Sequence, residues 1–220
     1  MNDEATKLPQ RQTADYVRGL TKAGLSLIPC VGSPAAEIFD MLLVPPLSKR
    51  RDEWLQDLYN DLRKLEERVE GFRIENLVGN EIFVSATVQA SQIAIRTHQA
   101  EKRQALRNAL INIVLGRSLD EETQFFFLGL VDAFTVTHLE VLRLFSDRSA
   151  FPAQRRTELQ NRRSMTDPIV LDLSLRGLIE DPRPYAARMR ESIDSLLVAA
   201  WSPSELGRKF LTFISQAVGE

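Results

Sequence analysis

"LSKRRDEWLQDLYNDLRKLEERVEGF", residues 47–72, is the stretch from which the fold class is read. Leu55, Leu58, Leu62, Leu65, Val69 and Phe72 follow one another at alternating gaps of three and four. That is the spacing of a heptad seam, and it predicts one long amphipathic helix. Arg63 and Glu67 add an i,i+4 pair on the solvent face, and Gly71 ends the pattern. Fewer than four heptads are present, so the helix is expected to pack inside a bundle rather than form a free coiled coil.

On its N-terminal side lies "AGLSLIPCVGSPAAEIFDMLLVPPL", residues 23–47, whose only charges are Glu37 and Asp40. Residues 14–27 place Val17, Leu20, Gly24 and Leu27 at helical spacing, and Pro29 stops that run by forcing Ile28 out of the helical region. Ser33 reads as an N-cap with Pro34 at the first helical position, and Pro45 and Pro46 end the second helix. The result is a helical hairpin over residues 16–47. A spanning helix needs about twenty apolar residues, and the prolines cut this segment shorter. The leading reading is a buried core hairpin whose apolar surface is Leu27, Ile28, Ile38, Phe39, Leu42 and Leu43. The alternative is a membrane-inserting hairpin, because pore formers also hide apolar hairpins in their soluble state. Cys30, between Pro29 and Val31, reads as a small buried hydrophobe.

On the C-terminal side, residues 80–115 carry a stripe of Phe83, Ala86, Ala90, Ile93 and Ala94. A break is expected near Thr97 to Gln99; Leu106, Ala109, Leu110, Ile113 and Val114 then restore the stripe until Gly116. Ser118 with Glu121, and Thr137 with Glu140, have the spacing of capping boxes. Val136 and Val141 fit a hydrophobic staple around the second box, so a helix is predicted to start at His138. "SMTDPIVLDLSLRGL" offers Asp167 as N-cap, Pro168 at the first position and Gly177 as C-cap. "LLVAAWSPSELGRKFLTFI" turns from a short strand-like run into a helix capped by Ser202, with Pro203 first and Glu205 completing the box.

From residue 137 onward the order is helix, helix, capped third helix, "RGLI", an apolar run, then "SPSELGRKFLTFI". This order resembles a winged-helix domain, in which "GLI" after the third helix and a closing "S/T-P-x-x-x-G-x-x-F-L" recur. "DPRPYAARMRESID" reads as a loop or short helix where a first wing strand would lie. The N-terminal part, with "IPCVGSPAAE", the "RR"-led heptad helix, "EKRQALRNALIN" and "VDAFTVTHLEVLRLF", resembles uncharacterised bacterial helical proteins. Some of these are related to the abortive-infection alpha group linked to phage defence. That resemblance implies a phage-defence context and no catalytic residues.

Composition limits the chemistry. The 220 residues include 28 basic and 30 acidic side chains, a net charge of −2, so no global field draws the chain to nucleic acid or anionic lipid. One cysteine excludes an intramolecular disulfide and a cysteine-rich metal site. The polar, acidic start is unlike a secretory signal, so a cytoplasmic location is expected, with membrane association as the variant that goes with hairpin release. His98 and His138 each have a carboxylate nearby in sequence, but neither stands in a metal-ligand spacing. No phosphate-cradling glycine loop and no nucleophile setting is recognisable, so no enzyme and no cofactor or metal is expected. "AQRRTELQNRR" is the best basic cluster: Arg155, Arg156, Arg162 and Arg163 are spaced by seven and would share a helix face. In a winged helix this second helix faces the DNA backbone, while the third offers only Ser174 and Arg176 beside Asp172. That argues against sequence-specific DNA readout and for a protein partner.

The expectation is thus an all-α or nearly all-α chain: a tail at 1–12, a helical bundle at 13–134 and a winged-helix-like domain at 135–220. Its leading function is a non-enzymatic interaction or regulatory protein, with a protein partner or homo-oligomer. The alternatives are a membrane-active effector releasing residues 16–47 and a DNA-binding regulator using the arginine face.

Overall fold

The computed structural model describes residues 45–116, 119–181 and 201–216. Among them are eight α-helices, one 3-10 helix and two strands of two residues each, so the nearly all-α reading holds. The chain divides into two compact units, residues 1–49 and 50–220. The core runs from Trp54 to Ile214, within the second. Of the expected hairpin, residues 16–44 lie outside the described residues, with Leu27, Ile28, Cys30, Ile38, Phe39, Leu42 and Leu43. So do Ser118 and the expected strand-like run at 196–200.

Helix α1 spans Pro45–Arg68. Pro45 and Pro46 open this helix, where their missing N–H groups cost nothing; the helix they are expected to end lies outside the described residues. Its buried stripe is Trp54, Leu58 and Leu62, with Leu65 partly covered, whereas Leu55 is 41 % exposed. The observed register averages about 3.7 residues per turn, close to the 3.6 of a straight α-helix. The expected seam is a heptad, whose period of about 3.5 would require supercoiling about a partner. The Trp54 indole N–H donates to Ser91 Oγ at 2.9 Å, which fixes the corrected face. Arg63 pairs with Glu66 rather than Glu67. Past α1, Gly71 turns the chain with φ 81° into a 3-10 helix, Ile74–Gly79.

Helices α2 (Glu81–Arg96) and α3 (Ala100–Val114) form the centre. Phe83, Ala86, Ala90, Ile93 and Ala94 are buried as predicted, and the break at 97–99 is present. Helix α3 packs on α2, on α4 (Glu121–Ala133) and on α8 (Glu205–Ile214), which explains why it is apolar on more than one face. Its two asparagines act on the end of α8. Asn112 Nδ2 lies 2.8 Å from Phe213 O and 3.2 Å from Thr212 O, and Asn108 Nδ2 donates to Ile214 O at 2.9 Å. With Ser215 Oγ donating to Leu211 O, all four terminal carbonyls of α8 find donors.

Between α4 and α8 lie α5 (Val136–Ser146), α6 (Ala153–Asn161) and α7 (Arg163–Leu175). Strands β1 (Ile179–Glu180) and β2 (Ser202–Pro203) pair antiparallel after them. Helix α7 packs on α5 and α6, and α8 packs on α5 and β2. Phe127 of α4, Phe134 and Phe210 of α8 form an edge-to-face cluster with centroids 5.2 and 5.9 Å apart. Pro168, expected at the first helical position, lies inside α7 because that helix begins at Arg163. The C-terminal end is as expected: Gly177 has φ 72°, its N–H donates to Ser174 O, and the Leu178 N–H reaches back to Leu173 O. That is a Schellman closure, with Leu173 and Leu178 both buried.

Besides α7, which begins at Arg163 and so contains the expected cap Asp167, three starts differ from the expected caps. Asp120, not Ser118, caps α4, accepting from the Thr123 N–H at 2.8 Å. Thr135, not Thr137, precedes α5. Ser204, not Ser202, caps α8, accepting from the Gly207 N–H at 3.0 Å while donating to Gly177 O.

Candidate functional site

The four arginines do not share a face. Helix α6 ends at Asn161, Arg162 has φ −105° and ψ 42°, and Arg163 opens α7, so the spacing of seven crosses a bend. Arg155 is committed internally: its Nε and NH2 groups donate to the Glu140 carboxylate at 3.0 and 2.7 Å, and NH1 donates to Glu158 at 2.8 Å. Those hydrogen bonds, Glu140's first, raise its already high pKa. A guanidinium so neutralised has little left for a phosphate. Arg162 donates to the Met165 thioether at 2.9 Å. Arg156 is half-buried near Arg148, whose pKa is lowered first by burial and then by Arg156. The arginines are therefore dispersed over one bidentate pair, one bend and one helix start.

His98 is exposed in the three-residue break between α2 and α3. His138 is mostly covered and joins α5 to α7. Its Nδ1 accepts from the Thr135 N–H at 3.2 Å and lies 2.8 Å from Thr135 Oγ1. Its Nε2 lies 3.4 Å from Asp172 Oδ2. Accepting at Nδ1 places the neutral ring's proton on Nε2, facing that carboxylate. The ring also stacks on Phe134 at 4.8 Å with planes 4° apart, and Arg176 sits over the same phenyl ring at 5.4 Å while donating to Asp172. Burial lowers the His138 pKa most; Asp172 opposes this, and Arg176 and Lys102 add to it.

A hydroxyl, an imidazole and a carboxylate in sequence invite comparison with a nucleophile–base–orienter set. Here the same ring nitrogen takes a backbone N–H, which makes His138 a helix-capping acceptor rather than a base free for the hydroxyl proton. Its chemistry is structural: it stops the first turn of α5 and pins it to the middle of α7.

The outer surface of α7 is the more informative feature. Ile169, Val170 and Leu173 are buried on one side. Met165, Pro168, Leu171 and Leu175 follow a second helical line on the other, with Leu171 49 % and Leu175 86 % exposed. The sequence reading of this helix for binding singles out only Ser174, Arg176 and Asp172 and does not pick out the exposed apolar line. The available signal was that "PIVLDLSL" is apolar around more of its circumference than one buried stripe requires. Asp172 and Arg176 border this line as an i,i+4 pair at 2.9 Å. The line itself carries no amide or guanidinium donor of the kind that reads base edges in a groove, and the bordering Arg176 is held by Asp172. Compared with known proteins, the chain matches no family model, no curated protein and no solved structure.

Proposed function

We propose that the protein is a non-enzymatic interaction or regulatory protein, and that its C-terminal winged-helix-like part docks a protein through the outer line of α7. The observation that carries this reading is the exposed row Met165, Pro168, Leu171 and Leu175 on a helix otherwise anchored in the core. An apolar row along one exposed helix surface is the kind of face that a helix-mediated protein contact buries. Support for the winged-helix-like part is the order of three helices, α5 to α7, followed by the antiparallel pair β1–β2. A role in bacterial phage defence belongs to the proposal through the resemblance to the abortive-infection alpha group.

The DNA-binding alternative is weaker, because Arg155 is held by two carboxylates and the third helix offers an apolar line. The membrane-effector alternative rests on residues 16–47, of which 16–44 lie outside the described residues; among the described residues no single helix is long and apolar enough to cross a bilayer.

The test combines Leu171→Glu and Leu175→Glu. Both residues are exposed, so denaturant melts should move by no more than about 0.5 kcal/mol. Capture of a specific protein partner, and protection of cells against phage, should be lost. Retained capture would remove α7 from the interface. Duplex binding that persists at physiological salt in both proteins would favour the DNA reading instead.

A further inference from the structure

We infer that the cavity between the α2–α3 break and α4 binds a phosphate-type oxyanion. It is a solvent-open groove of about 340 Å³, and five of the side chains lining it can donate hydrogen bonds: Arg96, Thr97, His98, Gln99 and Lys102. The inference is independent of the α7 surface and concerns a different set of residues.

Lys102 carries the argument. It is only 8 % exposed, and its ammonium donates at 2.9 Å to the backbone carbonyl of Asp132, which lines the same cavity. An ammonium has three N–H donors, and no other protein acceptor for this one is seen among the described residues. Burial lowers the Lys102 pKa more than the Asp132 carboxylate restores it. Arg96 converges on the same place, with NH2 2.9 Å from Asp132 Oδ2. Two cations thus face one lining carboxylate, Arg96 paired with it and Lys102 on the backbone carbonyl of the same residue. The positive end of the α3 helix adds to this, since Gln99 provides no side-chain cap there. Exposed Glu101 in the first turn is the opposing charge.

An oxyanion would accept from the idle donors of Lys102 and from Arg96 once it turns from Asp132. Phosphate fits better than carboxylate, because donors come from five side chains and a carboxylate has only two oxygens to offer them. The volume suits inorganic phosphate or a small phosphate ester.

The experiment is a titration of the ¹⁵N-labelled full chain with inorganic phosphate, acetate and chloride at constant ionic strength. Saturable shifts of the amides at 97–103 are expected with phosphate, with acetate weaker and chloride ineffective. Lys102→Met, which keeps the apolar stem, and Arg96→Gln should each weaken binding about tenfold, as loss of a charge-assisted hydrogen bond does. Arg96 has 65 % of its side chain in solvent, so its replacement tests the site even if Lys102→Met fails to fold. Asp132→Asn should tighten binding, because it removes the like charge and frees Arg96 while leaving the carbonyl that holds Lys102. Shifts that fail to saturate, that chloride reproduces, or that survive Arg96→Gln unchanged would overturn the site. Acetate binding tighter than phosphate would overturn the phosphate assignment.

Discussion

A Cβ built on Gly207 would lie 1.9 Å from the carbonyl oxygen of Leu178. The first turn of α8 therefore meets backbone, not a side chain that could swing away. That carbonyl also accepts from the Ser204 N–H at 3.0 Å, and the Ser204 hydroxyl donates to Gly177 O, so the cap of α8 is built on the turn that closes α7. Gly207→Ala is expected to destabilise by about 1–3 kcal/mol or more, the range of overpacking a closed site. Urea melts of the variant check this, and wild-type stability would show that the two backbones are farther apart. The glycine was visible in the sequence as part of "SPSELGRKFL". Its physical reason was not, because Leu178 approaches it from 29 residues away. Asn112 is the same kind of residue: a polar side chain in an apolar stripe, explained only when the end of α8 arrives on it. Asn112→Ala should cost about 1–3 kcal/mol by leaving buried carbonyls without donors, and thermal melts would register it.

Among the elements, burial periodicity was legible and helix starts were not. The five-residue stripe of α2 and the break after it follow from side-chain spacing alone. Apart from Asp167, which lies inside α7, each misplaced cap sits in a run holding two candidates two residues apart: Ser118 and Asp120, Thr135 and Thr137, Ser202 and Ser204. Local chemistry scores both members alike. Tertiary partners decide, as when Gly177 O takes the Ser204 hydroxyl and His138 closes back on Thr135. The seam read on α1 matches the covered residues at Leu58, Leu62, Leu65 and, past the helix, Phe72, and misses at its start: heptad counting selected Leu55, while a straight helix turned Trp54 inward to meet Ser91. The two registers predict different energetics. Leu62→Ala should cost about 2–5 kcal/mol as a core truncation, whereas Leu55→Ala should stay within about 0.5 kcal/mol as a surface change. Equal losses in denaturant melts would restore the heptad seam and with it a partner helix. The apolar line of α7 was illegible for a related reason: composition shows how apolar a helix is, not which of its sides the molecule covers.

For the whole molecule, protonation should act in one direction. Burial holds the His138 pKa below its usual value of about 6.5, against the pull of Asp172 and with the help of Arg176 and Lys102. The unfolded chain therefore binds this proton first, and stability present above about pH 6.5 is lost as pH falls through the lower folded value. Asp120 and Asp147 are held below the ordinary carboxylate range by hydrogen bonds from Thr123 and from Ser149 and Ala150, and Glu205 by Lys209. Their contribution is present above their unfolded values near pH 4 and is lost below it. Both signs agree, so acid should weaken the fold in two ranges, one below pH 6.5 and one below pH 4. Urea midpoints measured from pH 8 to pH 3 would resolve them. His138→Gln should lower stability at every pH through the lost cap, flatten the upper range and leave the lower one in place. A wild-type midpoint that is level from pH 8 to pH 5 would mean that His138 is not held neutral between α5 and α7, and that the pin joining those helices is open in solution.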